Sequence, residues 1–244
     1  MANLNDPKAA LDPSIDATYD DLNILRDIAK TCVRCDLSKT RTQVVFGDGP
    51  YVQGKLGIMI VGEAPGEDED KQGRPFVGRS GKLLNTMLQE AGLSREDIWV
   101  TNTNKCRPVL IEGKVYKNRP PTPPEQKACE IWWHNEMMLL KPKIVVCQGA
   151  VAAKKILENK NFQITKQRGE WFQGPYDTEV LVTFHPSYVL RQREPYLTEI
   201  KNTVVEDFKK VKARLEELQS GKAKPQPWQK QAENSGDNGQ LSMF

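Results

Sequence analysis

The stretch LGIMIVGEAPGEDEDKQGRPFVGRSGKLLNTMLQEAG, residues 56–92, carries the pattern that predicts the fold. Its first six residues are a short apolar run that ends in glycine-rich turn chemistry, which is typical of a buried strand. Residues 80–91 then place apolar side chains at helical spacing. A strand that leads into a helix in this way is the building unit of a parallel sheet.

The same alternation continues along the chain. Apolar runs predict four strands, at 56–61, 98–104, 143–149 and 179–184. Helical patterns predict helices at 19–30, 80–91, 123–140, 150–157 and 195–218. Thr122 and Glu125 of TPPE suit the N-cap and the capping-box position of the third helix. We therefore expect an α/β fold, a parallel sheet between helices, with residues 109–123 as loop.

Length and composition limit the class of protein. The 244 residues suit one sizeable domain, which we place at 19–218, after a loose leader (1–18) and before a polar, disordered tail (219–244). The net charge of +3 permits phosphate contacts but does not require them. The start of the chain has no apolar signal-peptide core, and no apolar run approaches membrane-spanning length, so we expect a cytoplasmic protein.

The cysteines need an explanation, because structural disulfides are rare in the cytosol. Cys32 and Cys35 form a CxxC pair, whereas Cys106 and Cys129 are distant single residues. Cys147 lies in an apolar strand and is expected to be a buried small residue. Four thiolates fit a zinc ion or an iron–sulfur cluster, and spacing alone does not separate zinc from a cluster. Unligated thiols are the remaining alternative.

Three polar segments follow predicted strands, namely GEAPG (62–66), TNTNKC (101–106) and HPSY (185–188). Ligands of parallel sheets gather outside the carboxyl ends of the strands, so these segments are expected to meet at one site. The acidic stretch EDED (67–70) is expected to cap and order its loop, or to form a solvated face. These segments therefore mark the candidate site.

The segments GEAPGEDEDKQGRPFVGRSGKLL, TNTNKCRP and HPSYVLR together resemble the family 4 uracil-DNA glycosylases, the iron–sulfur type of bacteria and archaea. The resemblance covers about residues 20–215. It implies a three-layer α/β/α fold with a four-stranded parallel sheet, and hydrolysis of deoxyuridine in DNA that releases uracil and leaves an abasic site. It also implies a 4Fe–4S cluster bound by Cys32, Cys35, Cys106 and Cys129. Since no lysine stands in an evident Schiff-base setting, we expect a monofunctional enzyme.

The resemblance also suggests roles for four site residues. Phe76 resembles the ring that stacks on uracil, although core filling is the plainer interpretation. Asn102 resembles the residue that reads the base edge, with Asn104 as the competing choice. His185 would donate a hydrogen bond to uracil O2, or else serve a structural role. Glu63 would position water, contact the base or hold the loop.

Further residues are expected to contact the base or the DNA backbone. Gly62, Ala64 and Gly66 let the main chain approach the base and sugar. Leu190 could wedge the duplex while Arg191 grips the backbone. The remaining candidate phosphate partners are Ser80, Lys82, Lys105 and Arg107.

The last five residues, QLSMF, resemble the short peptide by which bacterial proteins bind the sliding clamp. Gln240, Leu241, Met243 and Phe244 would fill a pocket on the clamp while the polar tail gives reach. The alternative is a terminus without a role. We expect a monomer that binds uracil-containing DNA and the clamp. A competing class is an iron–sulfur DNA-binding or electron-transfer module without catalysis.

Overall fold

A five-stranded sheet forms the centre of the protein in a computed structural model that describes residues 21–51, 56–221 and 223. The sheet order is β2-β1-β5-β7-β6; the first four strands are parallel and β6 runs antiparallel to β7. The seven strands in the described part of the chain are β1 (Ile58–Gly62), β2 (Ile98–Asn102), β3 (Val109–Glu112), β4 (Val115–Asn118), β5 (Ile144–Gln148), β6 (Trp171–Gln173) and β7 (Glu179–Thr183). The four predicted strands therefore form the predicted parallel sheet.

Helices cover both faces of this sheet. They are α1 (Leu22–Lys30), α2 (Glu67–Gln72), α3 (Arg79–Glu90), α4 (Pro123–Leu140), α5 (Ala150–Ile156), α6 (Ile164–Gln167), α7 (Pro186–Val189) and α8 (Tyr196–Gln219). Buried side chains of α1, α4 and α5 share one apolar core, and those of α3, α7 and α8 share the core on the opposite face. The two cores make the three-layer α/β/α arrangement that was predicted.

Two elements differ from the predictions. The segment 109–118, predicted as loop, is a β-hairpin of β3 and β4 that turns at Gly113 with φ +60°, as two-residue hairpin turns require. Both strands are almost fully exposed, so their sequences carry no apolar–polar alternation by which to predict them. The edge strand β6 was also missed, because three residues are too few for a periodic pattern to show.

Some predictions fall outside the described residues. These are the leader at 1–18 and most of the tail predicted at 219–244, including the clamp-binding residues 240–244. Helix α8, which was predicted to end at 218, ends at Gln219. Within the described ranges, no helix combines the length and the apolar character that a membrane span requires.

The order of the strands creates a crevice at one edge of the sheet. The chain passes from β1 to β2 on one side, and later returns to β5 on the other side of β1. The connections at the carboxyl ends of β1 and β5 therefore lead in opposite directions, which is the topological switch point where open α/β sheets bind ligands. Gly62 and Gln148 are the last residues of these two strands.

Candidate active site

A cleft of about 610 Å³ opens at the carboxyl ends of the parallel strands. This volume is within the usual range for small-molecule sites. The predicted site residues that line it are Glu63, Ala64, Gly66, Phe76, Ser80, Asn102, His185 and Arg191. The three strand-end segments singled out in the sequence therefore meet in one cleft.

Phe76 is held in an unusual backbone conformation within this cleft. Its φ is +54°, a region that non-glycine residues seldom adopt and that is often found at functional sites. A Cβ on Gly81 would lie 1.8 Å from the Phe76 carbonyl oxygen, so glycine there allows helix α3 to pack against this turn. A Cβ on Gly62 would lie 2.7 Å from Cζ of the ring. Both glycines therefore serve to place the Phe76 ring.

His185 faces the Phe76 ring and carries a defined tautomer. The ring centroids are 5.8 Å apart with an interplanar angle of 34°. The Ser187 backbone N–H donates to His185 Nδ1 over 3.0 Å, and the Ser187 hydroxyl lies 2.8 Å from the same nitrogen. A backbone N–H can only donate, so Nδ1 is the acceptor and the neutral ring carries its proton on Nε2.

The environment of His185 keeps the imidazole neutral. Burial is the main cause, with a smaller effect of the positive charge of Arg191, and together they lower the pKa of His185 to about 4. At neutral pH the side chain is therefore an uncharged donor through Nε2–H. Such a donor can stabilise negative charge that develops on a ligand without transferring a full proton.

Asn102 ends β2 and is almost fully buried. Its carboxamide lines the cleft and has no hydrogen-bond partner among the residues that the structure describes. The competing residue, Asn104, instead donates from Nδ2 to the carbonyl oxygen of Glu125 over 3.2 Å. Asn104 therefore bonds within the scaffold, whereas Asn102 lines the cleft.

Glu63 lines the same cleft with a partly exposed side chain. Its carboxylate has no partner in the described part of the chain, and burial raises the pKa of its carboxyl group above the ordinary value. Its carbonyl oxygen accepts hydrogen bonds from Asn104 N and Thr103 Oγ1, both over 2.9 Å. Because its main chain is fixed and its carboxylate is free, Glu63 is suited to accept a proton from water.

The acidic stretch orders the loop around Phe76, as was expected. Glu69 in α2 accepts hydrogen bonds from the backbone N–H groups of Gly66 over 3.1 Å, Val77 over 3.0 Å and Gly78 over 2.8 Å. This one carboxylate ties the turn after β1 to the turn that precedes α3. The sequence suggested a role for the stretch, and the structure identifies Glu69 as the residue responsible.

Lys105 was predicted to contact phosphate, and this prediction is wrong. Its side chain is 1% exposed. Its Nζ donates to Glu136 over 2.6 Å, to Thr101 Oγ1 over 2.6 Å and to the Asn102 carbonyl over 2.9 Å. Because every donor direction is used inside the protein, Lys105 supports the end of β2 and does not reach DNA.

Arg107 was also predicted to contact phosphate, but it has a structural role instead. Its guanidinium is largely buried and donates to Asn118 Oδ1 over 2.7 Å, to Glu67 over 3.2 Å and to the Tyr116 carbonyl over 3.3 Å. These bonds fasten the β3–β4 hairpin to α2. The burial of a cation follows from tertiary packing, which the sequence motif did not reveal.

The other predicted DNA contacts differ in their exposure. Lys82 is exposed on the first turns of α3, and Ser80 is partly exposed at the wall of the cleft. Arg191 is exposed, and its Nη1 lies 3.4 Å from Ser187 Oγ. Leu190 is half-buried after α7. Of these, Ser80 and Arg191 are placed to meet a molecule that enters the cleft.

Sequence reasoning missed Gln148, which lines the cleft from the end of β5. The polar segments after the other three parallel strands were predicted to form the site, whereas no site residue was predicted at the end of β5. Its position as the last residue of a predicted parallel strand was the available signal. Arg119 also lines the cleft and was not predicted, and Tyr188 of the predicted HPSY segment lines it as well.

The four predicted cluster ligands line one small cavity, apart from the cleft. They are Cys32, Cys35, Cys106 and Cys129, and all have free thiols. Two of these sulfurs accept hydrogen bonds: Arg41 Nη1 lies 3.4 Å from Cys106 Sγ, and Lys105 N lies 3.2 Å from Cys129 Sγ. Across the described ranges, no three His, Cys, Asp or Glu side chains stand close enough to share one metal ion.

Cys147 is placed differently from these four cysteines. It lies inside β5 between β1 and β7, fully buried in the apolar core. Its predicted role as a small core residue is therefore in accord with its position.

Comparison with known proteins identifies relatives over most of the chain. The Uracil DNA glycosylase superfamily model matches residues 49–214. A type-4 uracil-DNA glycosylase of Thermotoga maritima is 41% identical over 195 residues, which are 79% of this chain and 93% of the relative. One from Pyrobaculum aerophilum is 38% identical over 178 residues, 70% of this chain and 86% of the relative.

A solved structure, that of SMUG2 from Pedobacter heparinus, aligns with a TM-score of 0.47 and 14% identity over 65% of this chain and 77% of that chain. The family model and the two type-4 relatives, by contrast, each match more than two thirds of the chain. The chain belongs to the uracil DNA glycosylase superfamily and, within it, to the type-4 uracil-DNA glycosylases.

Proposed function

We propose that this chain hydrolyses the N-glycosidic bond of deoxyuridine in DNA, releasing uracil and leaving an intact strand with an abasic site. One observation carries the proposal: an aromatic ring, a free carboxamide and a neutral imidazole N–H meet in one cleft. They belong to Phe76, Asn102 and His185. These are the three functions that a pocket for one extruded pyrimidine requires.

Recognition begins when the base leaves the stack and enters the cleft. Uracil then stacks on the ring of Phe76. The carboxamide of Asn102 donates to O4 and accepts from N3–H, whereas cytosine offers an amino group and a bare nitrogen at the same positions. Cytosine therefore leaves donors and acceptors unmatched, which discriminates against it.

The reaction breaks the bond between C1′ of the sugar and N1 of the base. N1 keeps the electron pair, and the resulting negative charge spreads to O2, where the Nε2–H of His185 donates a hydrogen bond. Water adds to C1′ and loses a proton, for which the free carboxylate of Glu63 is the nearby acceptor. Stabilising the departing anion lowers the barrier without a strong nucleophile.

We further infer that Cys32, Cys35, Cys106 and Cys129 bind a 4Fe–4S cluster. The four free thiols share one cavity, and N–H groups donate to two of the sulfurs, as is common around cluster ligands. When bound, the cluster would tie the segment after α1 to the segments after β2 and in α4.

Uracil release is the direct test of the proposed function. The protein should convert a uracil-bearing oligonucleotide to an alkali-labile product while leaving matched thymine and cytosine strands intact. Asn102→Ala should slow the reaction about 5- to 150-fold, since a bidentate base contact is worth about 1–3 kcal/mol. Asn202→Ala, which changes an exposed residue of α8, is the matched control. A wild-type protein that leaves uracil in place would refute the proposal.

Cluster binding is tested by replacing two cysteines in parallel. The purified wild type should contain iron and acid-labile sulfide and be brown. Cys129→Ala should lose most of the iron and colour, because it removes one of four ligands. Cys147→Ala should retain both, since this thiol lies in the sheet. Equal iron content in the two variants would contradict the ligand assignment, as would zinc in place of iron.

The C-terminal peptide remains a proposal that rests on sequence. We propose that the enzyme acts as a cytoplasmic monomer on uracil-containing DNA, and that Gln240, Leu241, Met243 and Phe244 bind a bacterial sliding clamp. Deleting 240–244 should abolish clamp pull-down and leave excision on short oligonucleotides unchanged. Clamp binding that survives the deletion would refute this role.

A further inference from the structure

Gln148 has an unusual environment for a buried polar side chain. It is the last residue of β5, is 1% exposed and lines the cleft. Neither Nε2 nor Oε1 of its carboxamide has a hydrogen-bond partner among the residues that the structure describes. Burying an amide without partners costs free energy, so such a group is expected to have a partner in the working protein.

The side chain of Gln148 lies on the same face of the sheet as Phe76. Val146 and Ile144, two and four residues earlier in β5, belong to the apolar core that contains Phe76 and α3. Side chains alternate between faces along a strand, so Gln148 continues this row. Asn102 occupies the equivalent position in β2, where Val100 precedes it in the same core.

The two carboxamides border one gap. Gly62 of β1 pairs with Asn102, and Val61 pairs with Cys147, so Gly62 lies between Asn102 and Gln148 at the end of the sheet. Two strand spacings separate the backbones of the two amides by about 10 Å. Gly62 contributes no side chain to this interval, and both Oδ1 of Asn102 and the tip of the Phe76 ring lie over it, at 2.3 Å and 2.7 Å from the position that a Cβ would take.

His185 lies on the Gln148 side of this gap. Gln148 pairs with Thr183 of β7, two residues before the imidazole. A Cβ on the next residue, Gly149, would lie 3.3 Å from Cβ of His185. A base stacked on Phe76 would therefore meet Asn102 at one end of its polar edge, and His185 together with Gln148 at the other.

We propose that the carboxamide of Gln148 is a further catalytic residue, which donates an N–H hydrogen bond to O2 of the extruded uracil beside the Nε2–H of His185. The inference rests on the proposed function. Uracil O2 has two lone pairs and gains negative charge as the bond to C1′ breaks, so it can accept from both donors. Gln148 transfers no proton in this step, and its hydrogen bond to O2 strengthens as the negative charge on O2 grows.

The test measures single-turnover release of uracil and of 5-fluorouracil from the same oligonucleotide sequence. Gln148→Leu removes the donor and keeps a similar volume, and should slow uracil release about 10- to 100-fold. The loss should be several-fold smaller for 5-fluorouracil, because its more stable anion needs less help. Gln89→Leu, which changes an exposed glutamine of α3, should leave both rates unchanged.

The outcomes separate the inference from the function on which it rests. Wild-type activity with an unchanged Gln148→Leu rate would overturn the role of Gln148 alone, and would indicate that water satisfies the amide. An equal loss of rate for both bases would also overturn it, because a packing defect would slow the release of both bases alike. A wild type that releases neither base would overturn the proposed function and this inference with it. Should Gln148→Leu fail to fold, Gln148→Met removes the same donor with a more flexible side chain.

Discussion

Replacing His185 with alanine should slow uracil release about 10²–10³-fold at saturating enzyme, the usual loss for one preorganised donor to a developing anion. The Nε2–H is available for this role because the Ser187 backbone N–H occupies Nδ1. Single-turnover kinetics on a uracil oligonucleotide measure the loss directly. His134→Ala is the matched control, because the chain has two histidines and His134 stacks on Trp133 in α4.

The pH dependence provides a second check on His185. Its pKa, lowered to about 4 chiefly by burial, keeps the ring neutral throughout the range from pH 5 to 8. The ratio of wild-type to His185→Ala rates should therefore stay constant across that range. A step in the ratio near the ordinary histidine pKa of 6.5 would show that the ring changes charge there, and would contradict the neutral-donor mechanism.

The folded state should also lose stability in acid because of this residue. The unfolded chain takes up the His185 proton near pH 6.5, whereas the folded chain does so only near pH 4. The unfolded state therefore binds more protons between these values, and the free energy of unfolding falls as the pH drops through this window. His185→Ala should remove this part of the acid sensitivity.

Lys105→Met should lower the free energy of unfolding by about 3–5 kcal/mol, the cost of leaving a buried charge without its partner. Glu136 is fully buried and accepts hydrogen bonds from Lys105 Nζ over 2.6 Å, Thr101 Oγ1 over 2.9 Å and Gly47 N over 3.0 Å. Removal of the cation leaves a carboxylate with two neutral donors in the core. Uracil release should fall as well, because Nζ also holds the Asn102 carbonyl.

Urea unfolding of three variants measures how much the Lys105–Glu136 ion pair contributes to stability. Lys82→Met changes an exposed lysine of α3 and should leave stability within about 0.5 kcal/mol of the wild type. Adding Glu136→Gln to Lys105→Met should restore much of the loss, since the amide oxygen can still accept from Thr101 and Gly47. A loss below about 1 kcal/mol in the single Lys105 variant would mean that water reaches Glu136.

Local sequence patterns were sufficient to predict the secondary structure that forms the site. The apolar runs ending at Gly62, Asn102 and Thr183 became parallel strands with polar segments at their carboxyl ends. The Thr122–Glu125 capping box starts α4 as predicted, with Glu125 Oε2 accepting from Thr122 N over 2.7 Å. These features depend on neighbours along the chain, so periodicity and turn chemistry reveal them.

Residues whose roles depend on distant partners could not be assigned in this way. Lys105 and Arg107 have the composition of phosphate contacts, yet Glu136, 31 residues away from Lys105, and Glu67, 40 residues away from Arg107, draw them into the protein. In the sequence, Gln148 is only a polar residue at the end of an apolar strand. The tertiary structure shows that its amide has no partner among the described residues and that it lines the cleft.

The amino-acid order, together with the family resemblance that it carries, is thus enough to locate the strand ends, the ring, the amide and the imidazole of the candidate site, and to group four cysteines that share one cavity. The packing of separate segments establishes which polar side chains remain available to a ligand. The physical reason is that a buried donor or acceptor takes whichever partner the fold brings to it, and such partners lie tens of residues apart. Lys105 is drawn to Glu136 in this way. For His185, burial by distant segments keeps the ring neutral, whereas the N–H of Ser187, two residues further along the chain, fixes Nδ1 as the acceptor.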